Sequence, residues 1–206
     1  MKLAQVLIIL FFFHGSSLLA STATEHKKII LALGDSLTEG YGIEPIFSFP
    51  AQLEALLSGK KLSYKVINGG ISGATTASGL SRLKWFLRSK PDIMILALGA
   101  NDGLRGLKVE DSKKNLDAII VLAKKNKIKV LLAGMQMPPN YGEEYRVNFK
   151  KMYFDLVKKH NILMIPFLLE GVAGNNKLNI EDGIHPNKEG YKVITNTVYA
   201  VLKDIL

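Results

Sequence analysis

Residues 30–40 read Ile30-Leu31-Ala32-Leu33-Gly34-Asp35-Ser36-Leu37-Thr38-Glu39-Gly40. Four apolar residues run without interruption. From Gly34 onward they give way to small, polar and turn-forming residues. An unbroken apolar run of this length is the pattern of a strand buried on both faces, as in a parallel sheet. The polar residues after it then stand at the strand's carboxyl end. On this stretch alone Ser36 has two readings. It is the N-cap of a short helix, or it is a nucleophile presented at the rim of a sheet.

The same pattern recurs along the chain. Residues 28–33, 64–68, 93–98, 129–133 and 162–165 are continuous or nearly continuous apolar runs and read as strands. Helical stripes separate them. Pro50 suits the first helical position, with Phe49, Leu53, Leu56 and Leu57 on one face. Leu80, Leu83, Phe86 and Leu87 form a second stripe, and Leu116, Ile119, Ile120 and Ala123 a third. Tyr145, Phe149, Met152, Tyr153 and Leu156 form a fourth, and Ile194, Val198, Val201, Leu202 and Ile205 close the chain as a fifth. Strand–helix alternation predicts an α/β fold, a three-layer α/β/α sandwich around a five-stranded parallel sheet. Right-handed crossovers restrict its topology to a few choices. No internal repeat, low-complexity segment or linker interrupts the pattern, so residues 24–206 read as a single domain.

Composition bounds the chemistry. The chain has 206 residues, of which 48% are hydrophobic and 22% charged, an ordinary globular balance. A chain of this size buries roughly 70% of its unfolded surface and needs no covalent staples. It contains no cysteine, which excludes disulfides, a thiolate nucleophile and Cys-ligated metal. Near the start, Lys2 precedes the apolar run from Val6 to Phe13, then Gly15-Ser16-Ser17, with small residues at Ser21 and Ala23. This is the layout of a secretory signal peptide over residues 1–23, cleaved after Ala23. The run falls short of the ~20 residues that span a bilayer. An uncleaved anchor is the alternative reading. Export to the periplasm or the medium is the expectation, with no stable membrane anchor after cleavage. The formal charge of +9 is spread over lysines on helix faces, with no basic run interleaved with aromatics. That argues against nucleic acid as a partner and leaves a weak attraction to anionic membrane surfaces.

Ligands of open α/β sheets bind outside the carboxyl ends of the strands. The loops leaving those ends carry Gly34-Asp35-Ser36, Asn68-Gly69-Gly70-Ile71-Ser72-Gly73, Gly99-Ala100-Asn101-Asp102-Gly103 and a loop from Met135 to Gly142. A last segment, Glu181-Asp182-Gly183-Ile184-His185-Pro186, precedes the final helix. Of the four histidines, His14 lies in the signal segment, His26 in the tail after it, and His160 at a helix end, where a cation suits the macrodipole. Only His185 stands in a loop beside a carboxylate. Asp182, three residues earlier, can reach its Nδ1 and leave Nε2 free to take a proton from a hydroxyl such as that of Ser36. Acyl transfer also needs donors for a developing oxyanion. Gly73 can offer a backbone N–H and Asn101 its side-chain amide. Each segment has a structural reading too: a cap at Ser36, a tight turn at Gly73, an Asx-turn at Asn101. Asp35 reads as structural, holding the turn by hydrogen bonds.

These blocks together resemble the SGNH (GDSL) hydrolases. Gly34-Asp35-Ser36-Leu37 is similar to their first block, with Ser36 as nucleophile and oxyanion donor. Asn68–Gly73 resembles the second, whose last glycine, here Gly73, donates an N–H. Gly99-Ala100-Asn101-Asp102 resembles the third, with Asn101 donating its amide, and Asp182-Gly183-Ile184-His185-Pro186 the fifth, with Asp182 and His185 completing a triad. Asn101–Gly106 and Pro139-Asn140-Tyr141-Gly142 further resemble the bacterial periplasmic acyl-CoA thioesterase / lysophospholipase / arylesterase branch, with Ala100 where that branch often has glycine. The resemblance covers essentially all of residues 24–206. It implies a flavodoxin-like sandwich, no metal, no cofactor, and a small-molecule or lipid acyl ester as substrate. The Gly-x-Ser-x-Gly elbow of α/β-hydrolases is absent. Met135, Met137, Pro139 and Tyr141 are the expected substrate-binding residues, because soft apolar side chains on a loop accommodate acyl chains of varied length. A carbohydrate O-acetylesterase on the same fold and a non-catalytic small-molecule binder are the rival readings.

Overall fold

β1 (Lys28–Gly34) lies inside a sheet of five parallel strands, with β2 (Tyr64–Gly70) on one side and β3 (Ile93–Ala97), β4 (Lys129–Ala133) and β5 (Leu163–Ile165) in turn on the other. The computed structural model describes residues 27–206, so the expected signal segment lies outside the described residues. The order β2-β1-β3-β4-β5 is that of flavodoxin-like sheets, as expected. The direction of winding reverses between β1 and β3, which opens a crevice where their loops diverge.

Strand formation follows from burial. Ile30, Leu31, Ala32 and Leu33 of β1 and Met94, Ile95 and Leu96 of β3 are fully buried. Each large apolar side chain so buried contributes roughly 1.5–3 kcal/mol. Truncation of Leu31 to alanine at this position costs about 2–5 kcal/mol, because the packed layers cannot collapse into the cavity.

Seven α-helices flank the sheet among the described residues. α2 (Phe49–Gly59) and α7 (Lys188–Leu202) pack together on one face, and α3 (Thr76–Phe86), α5 (Val109–Lys125) and α6 (Glu143–His160) on the other. Two short helices add to these: α1 (Ser36–Glu39), where the sequence offers a capped short helix, and α4 (Ala100–Leu104), which no apolar stripe marks. Both follow directly on strands of the crevice and are too short to show an apolar stripe. The strands agree with expectation to within two residues. The largest difference is β2, which continues through Asn68-Gly69-Gly70 because Gly70 pairs with Gly34 of β1. A Cβ at Gly70 would collide with the backbone of Thr38 and Glu39, so glycine there lets α1 settle on the strand ends. No helix among the described residues is long and apolar enough to cross a membrane.

Candidate active site

The turn after β1 settles the role of its polar residues. Asp35, not Ser36, is the N-cap of α1, its carboxylate accepting the Leu37 N–H at 3.0 Å. Gly40 closes the helix in the left-handed conformation at φ 91°. Ser36 therefore occupies the first helical position, where an N–H has no intrahelical acceptor. Among the described residues that N–H has no partner. Its hydroxyl, released from capping, meets His185 instead.

The Ser36 Oγ lies 2.9 Å from His185 Nε2, although 149 residues separate the two in sequence. His185 Nδ1 lies 2.6 Å from Asp182 Oδ2. The other carboxylate oxygen of Asp182 accepts the backbone N–H groups of Ile184 at 3.0 Å and His185 at 2.9 Å. Partial burial pulls the Asp182 carboxyl upward. The donors from His185 and Ile184 outweigh this and hold it below the usual carboxylate range. An ionised Asp182 can only accept, so Nδ1 carries the proton and bare Nε2 accepts from the Ser36 hydroxyl. The loop is fixed from both ends. Ile180 N–H donates to the His185 carbonyl at 2.8 Å, and Asn187 caps α7 through the N–H groups of Glu189 and Gly190. Tyr41 packs on the imidazole, with ring centroids 4.7 Å apart.

Burial pushes the Asp35 carboxyl up to about 6, against the Leu37 N–H and the neighbouring His185 and Arg82 side chains, which pull it down. Arg82 reaches from α3 to the carbonyls of Gly34, at 2.8 Å, and Gly69, fastening the ends of β1 and β2 together.

The two other expected donors face the same crevice. Gly73 has φ +75°, and its N–H lacks an acceptor among the described residues. Asn101 gives one amide hydrogen to the Ala74 carbonyl at 3.0 Å, which orients the group and leaves its second hydrogen unused. Beneath it the buried Asp102 accepts from Thr76 N–H at 2.9 Å, Thr76 Oγ at 2.6 Å and Ser112 Oγ at 3.1 Å. The third block is thereby locked to the starts of α3 and α5.

Ser36, Gly73, Asn101 and His185 line one largely apolar groove of about 600 Å³. Met135 and Met137 line it, as the sequence suggests. Pro139 and Tyr141 do not. Pro138 faces the groove instead, because Pro139–Tyr141 form a tight 3₁₀ turn. The Tyr141 hydroxyl donates to the Leu104 carbonyl at 2.9 Å, so Tyr141 supports Leu104, which does line the groove. The far wall is formed by Phe167, Leu169 and Ala173, which sequence reading missed. The apolar run Phe167-Leu168-Leu169 just after β5 was the available signal.

Comparison with known proteins bears on the fold and the family. The family described as "GDSL-like Lipase/Acylhydrolase family" matches residues 32–193. Esterase TesA of Pseudomonas aeruginosa is 35% identical over 92% of this chain and 95% of that protein. A crystal structure of TesA superposes with a TM-score of 0.84 at 35% identity, covering 87% of this chain and 100% of that one. An arylesterase of Vibrio mimicus is 37% identical over 86% of this chain and 90% of its own length. The thioesterase 1/protease 1/lysophospholipase L1 of Escherichia coli K12 is 33% identical over 86% of this chain and 84% of its own. A match from β1 to within α7, on a fold that superposes throughout, establishes that the chain belongs to the GDSL-like lipase/acylhydrolase family.

Proposed function

We propose that the protein hydrolyses acyl esters and acyl thioesters through a Ser36–His185–Asp182 triad and an acyl-enzyme intermediate. The observation that carries this reading is the continuous relay from Asp182 through His185 to the Ser36 hydroxyl, at 2.6 and 2.9 Å, at the wall of an apolar groove. Ser36 Oγ attacks the acyl carbonyl carbon while His185 Nε2 takes its proton. Asp182 orients the imidazole and balances the imidazolium charge. The N–H groups of Ser36 and Gly73 and the amide of Asn101 donate to the oxyanion, each worth about 10² to 10³ in rate. The tetrahedral intermediate collapses, and the leaving alcohol or thiol takes the proton back from His185. Water, deprotonated by His185, then attacks the acyl-enzyme and releases the acid.

Esters with an apolar acyl chain suit the groove, whose walls are Met135, Met137, Phe167 and Leu169. The relatives named arylesterase and thioesterase 1/protease 1/lysophospholipase L1 support the same breadth of acyl substrates. The apolar stretch at 6–13 with small residues at 21 and 23 supports export to the periplasm or the medium.

The test is a panel of nitrophenyl esters, acyl thioesters, lysophospholipids and acetylated sugars, with Ser36→Ala as the control. Turnover of the first three, abolished in Ser36→Ala, is the expected result. Turnover retained by Ser36→Ala, or confined to acetylated sugars, refutes the reading.

A further inference from the structure

The three candidate oxyanion donors sit on three different segments, and Gly73 has no side chain to hold it. The residues around it are tied down instead. Ile71 N–H donates to the Gly34 carbonyl at 3.3 Å, and Ala74 N–H to the Ile71 carbonyl at 3.1 Å. Ser72 N–H donates to Glu39 Oε2 at 2.7 Å, and the Ser72 hydroxyl donates to the same oxygen. On the other flank, Arg105 Nη2 donates to the Gly73 carbonyl at 3.0 Å, while the Arg105 N–H is bound to the Asn101 carbonyl at 3.1 Å. Of the backbone N–H groups from Ile71 to Ala74, only that of Gly73 has no acceptor among the described residues.

We propose that Glu39 is a positioning residue that fixes the Gly73 N–H for oxyanion binding. This rests on the acyl-transfer reading of the site. The Gly73 N–H belongs to the peptide that joins it to Ser72, and glycine leaves that peptide free to swing. The Glu39 carboxylate removes this freedom by accepting two charge-assisted hydrogen bonds from Ser72, and such bonds are the stronger class. Glu39 lies in α1, three residues after Ser36 and on the same short helix. Nucleophile and donor are thereby coupled as one unit rather than as two independent loops. The Glu39 carbonyl adds to the coupling by accepting the Asn68 amide at 3.2 Å. Both Ser72 groups donate to one carboxylate oxygen, whose negative charge strengthens both bonds beyond what a neutral amide oxygen would give.

The test compares the wild type with Glu39→Gln, Glu39→Ala, Ser72→Ala and the double variant Glu39→Ala/Ser72→Ala on a nitrophenyl ester. Affinity for a trifluoromethyl ketone, whose hemiketal oxyanion fills the hole, and Tm are measured alongside. Glu39→Ala is expected to lower kcat about tenfold, a fraction of a whole donor's worth, with KM within about twofold. Glu39→Gln, which still accepts from the Ser72 N–H, recovers part of the loss. Ketone affinity falls by the same factor as kcat/KM, Tm stays near the wild-type value, and the double variant loses no more than Glu39→Ala alone. Unchanged kcat in Glu39→Ala, a change confined to KM, or losses that multiply in the double variant overturns the proposal while Ser36-dependent turnover stands. Turnover that survives in Ser36→Ala removes the acyl-transfer reading, and this proposal with it.

Discussion

Among its described residues the molecule holds two histidine–aspartate pairs at the same distance. His185 Nδ1 and Asp182 Oδ2 are 2.6 Å apart at the sheet edge. His160 Nε2 and Asp117 Oδ1 are 2.6 Å apart between α6 and α5. The first pair continues into the Ser36 hydroxyl and the groove. The second ends in cations: Lys159 shares the Asp117 carboxylate at 2.7 Å, and Lys124 donates to the His160 carbonyl at 2.7 Å. Burial pulls Asp117 upward, but Lys159 and His160 outweigh it and hold the carboxyl below its ordinary range. The pair itself is therefore no signature of catalysis. What distinguishes the site is the group that the imidazole's other nitrogen meets, and whether a substrate has room beside it.

The comparison breaks most sharply on activity. His185→Gln is expected to lower kcat by about 10³-fold or more with little change in Tm. His160→Gln should leave kcat within about threefold and remove about 1–3 kcal/mol of stability, measured by urea denaturation. Exchanged outcomes would reverse the assignment of the two pairs.

Asp35 sharpens the contrast, since it is a buried carboxylate beside the site that belongs to neither pair. Its folded carboxyl sits at about 6 against 3.8 in the unfolded chain, so the folded state keeps the proton longer. Stability consequently falls as pH rises through this window and levels off above it. The full effect is on the order of 3 kcal/mol, at 1.4 kcal/mol per pH unit. Asp35→Asn, which keeps an acceptor for the Leu37 N–H, should flatten this limb in denaturation curves recorded from pH 4 to 8. A limb unchanged in Asp35→Asn would assign it to another group.

The smallest effect concerns Asp117, whose depressed carboxyl contributes stability above its unfolded value and loses it as pH falls through the folded one. Asp117→Asn should cost about 1 kcal/mol at neutral pH, with wild type and variant converging on acidification. The same scan on kcat should show no difference between them.

The fold was legible because buried parallel strands leave continuous apolar runs, and five of them stand out between helical stripes. The candidate site segments were legible too, since polar and glycine-rich stretches interrupt that pattern, Asn68–Gly73 at a strand end and Glu181–Pro186 just before the last helix. Capping was not resolved at single-residue precision. Asp35 and Ser36 are both good caps, and only the folded turn, with the Leu37 N–H on Asp35 and His185 beside Ser36, separates their roles. The contacts of Glu39, Thr76, Ser112 and Arg105 were not readable for a further reason. Each residue acts through a contact 10 to 33 residues away in sequence, and no local pattern marks a side chain by the loop it will later reach. Pro139 and Tyr141 show the converse: their prominence in the sequence reflects turn geometry and support of Leu104, one step removed from the groove.

The 149 residues between Ser36 and His185 set when the site can exist at all. Every strand and all but the last helix are spelled out before the histidine segment. That segment is pinned by contacts to Leu178, Ile180 and the start of α7. A growing chain carries Ser36 early but meets the proposed base, His185, only once the final helix docks. On the proposed triad, hydrolytic competence would report on completed folding, and partial chains would be inert toward acyl esters.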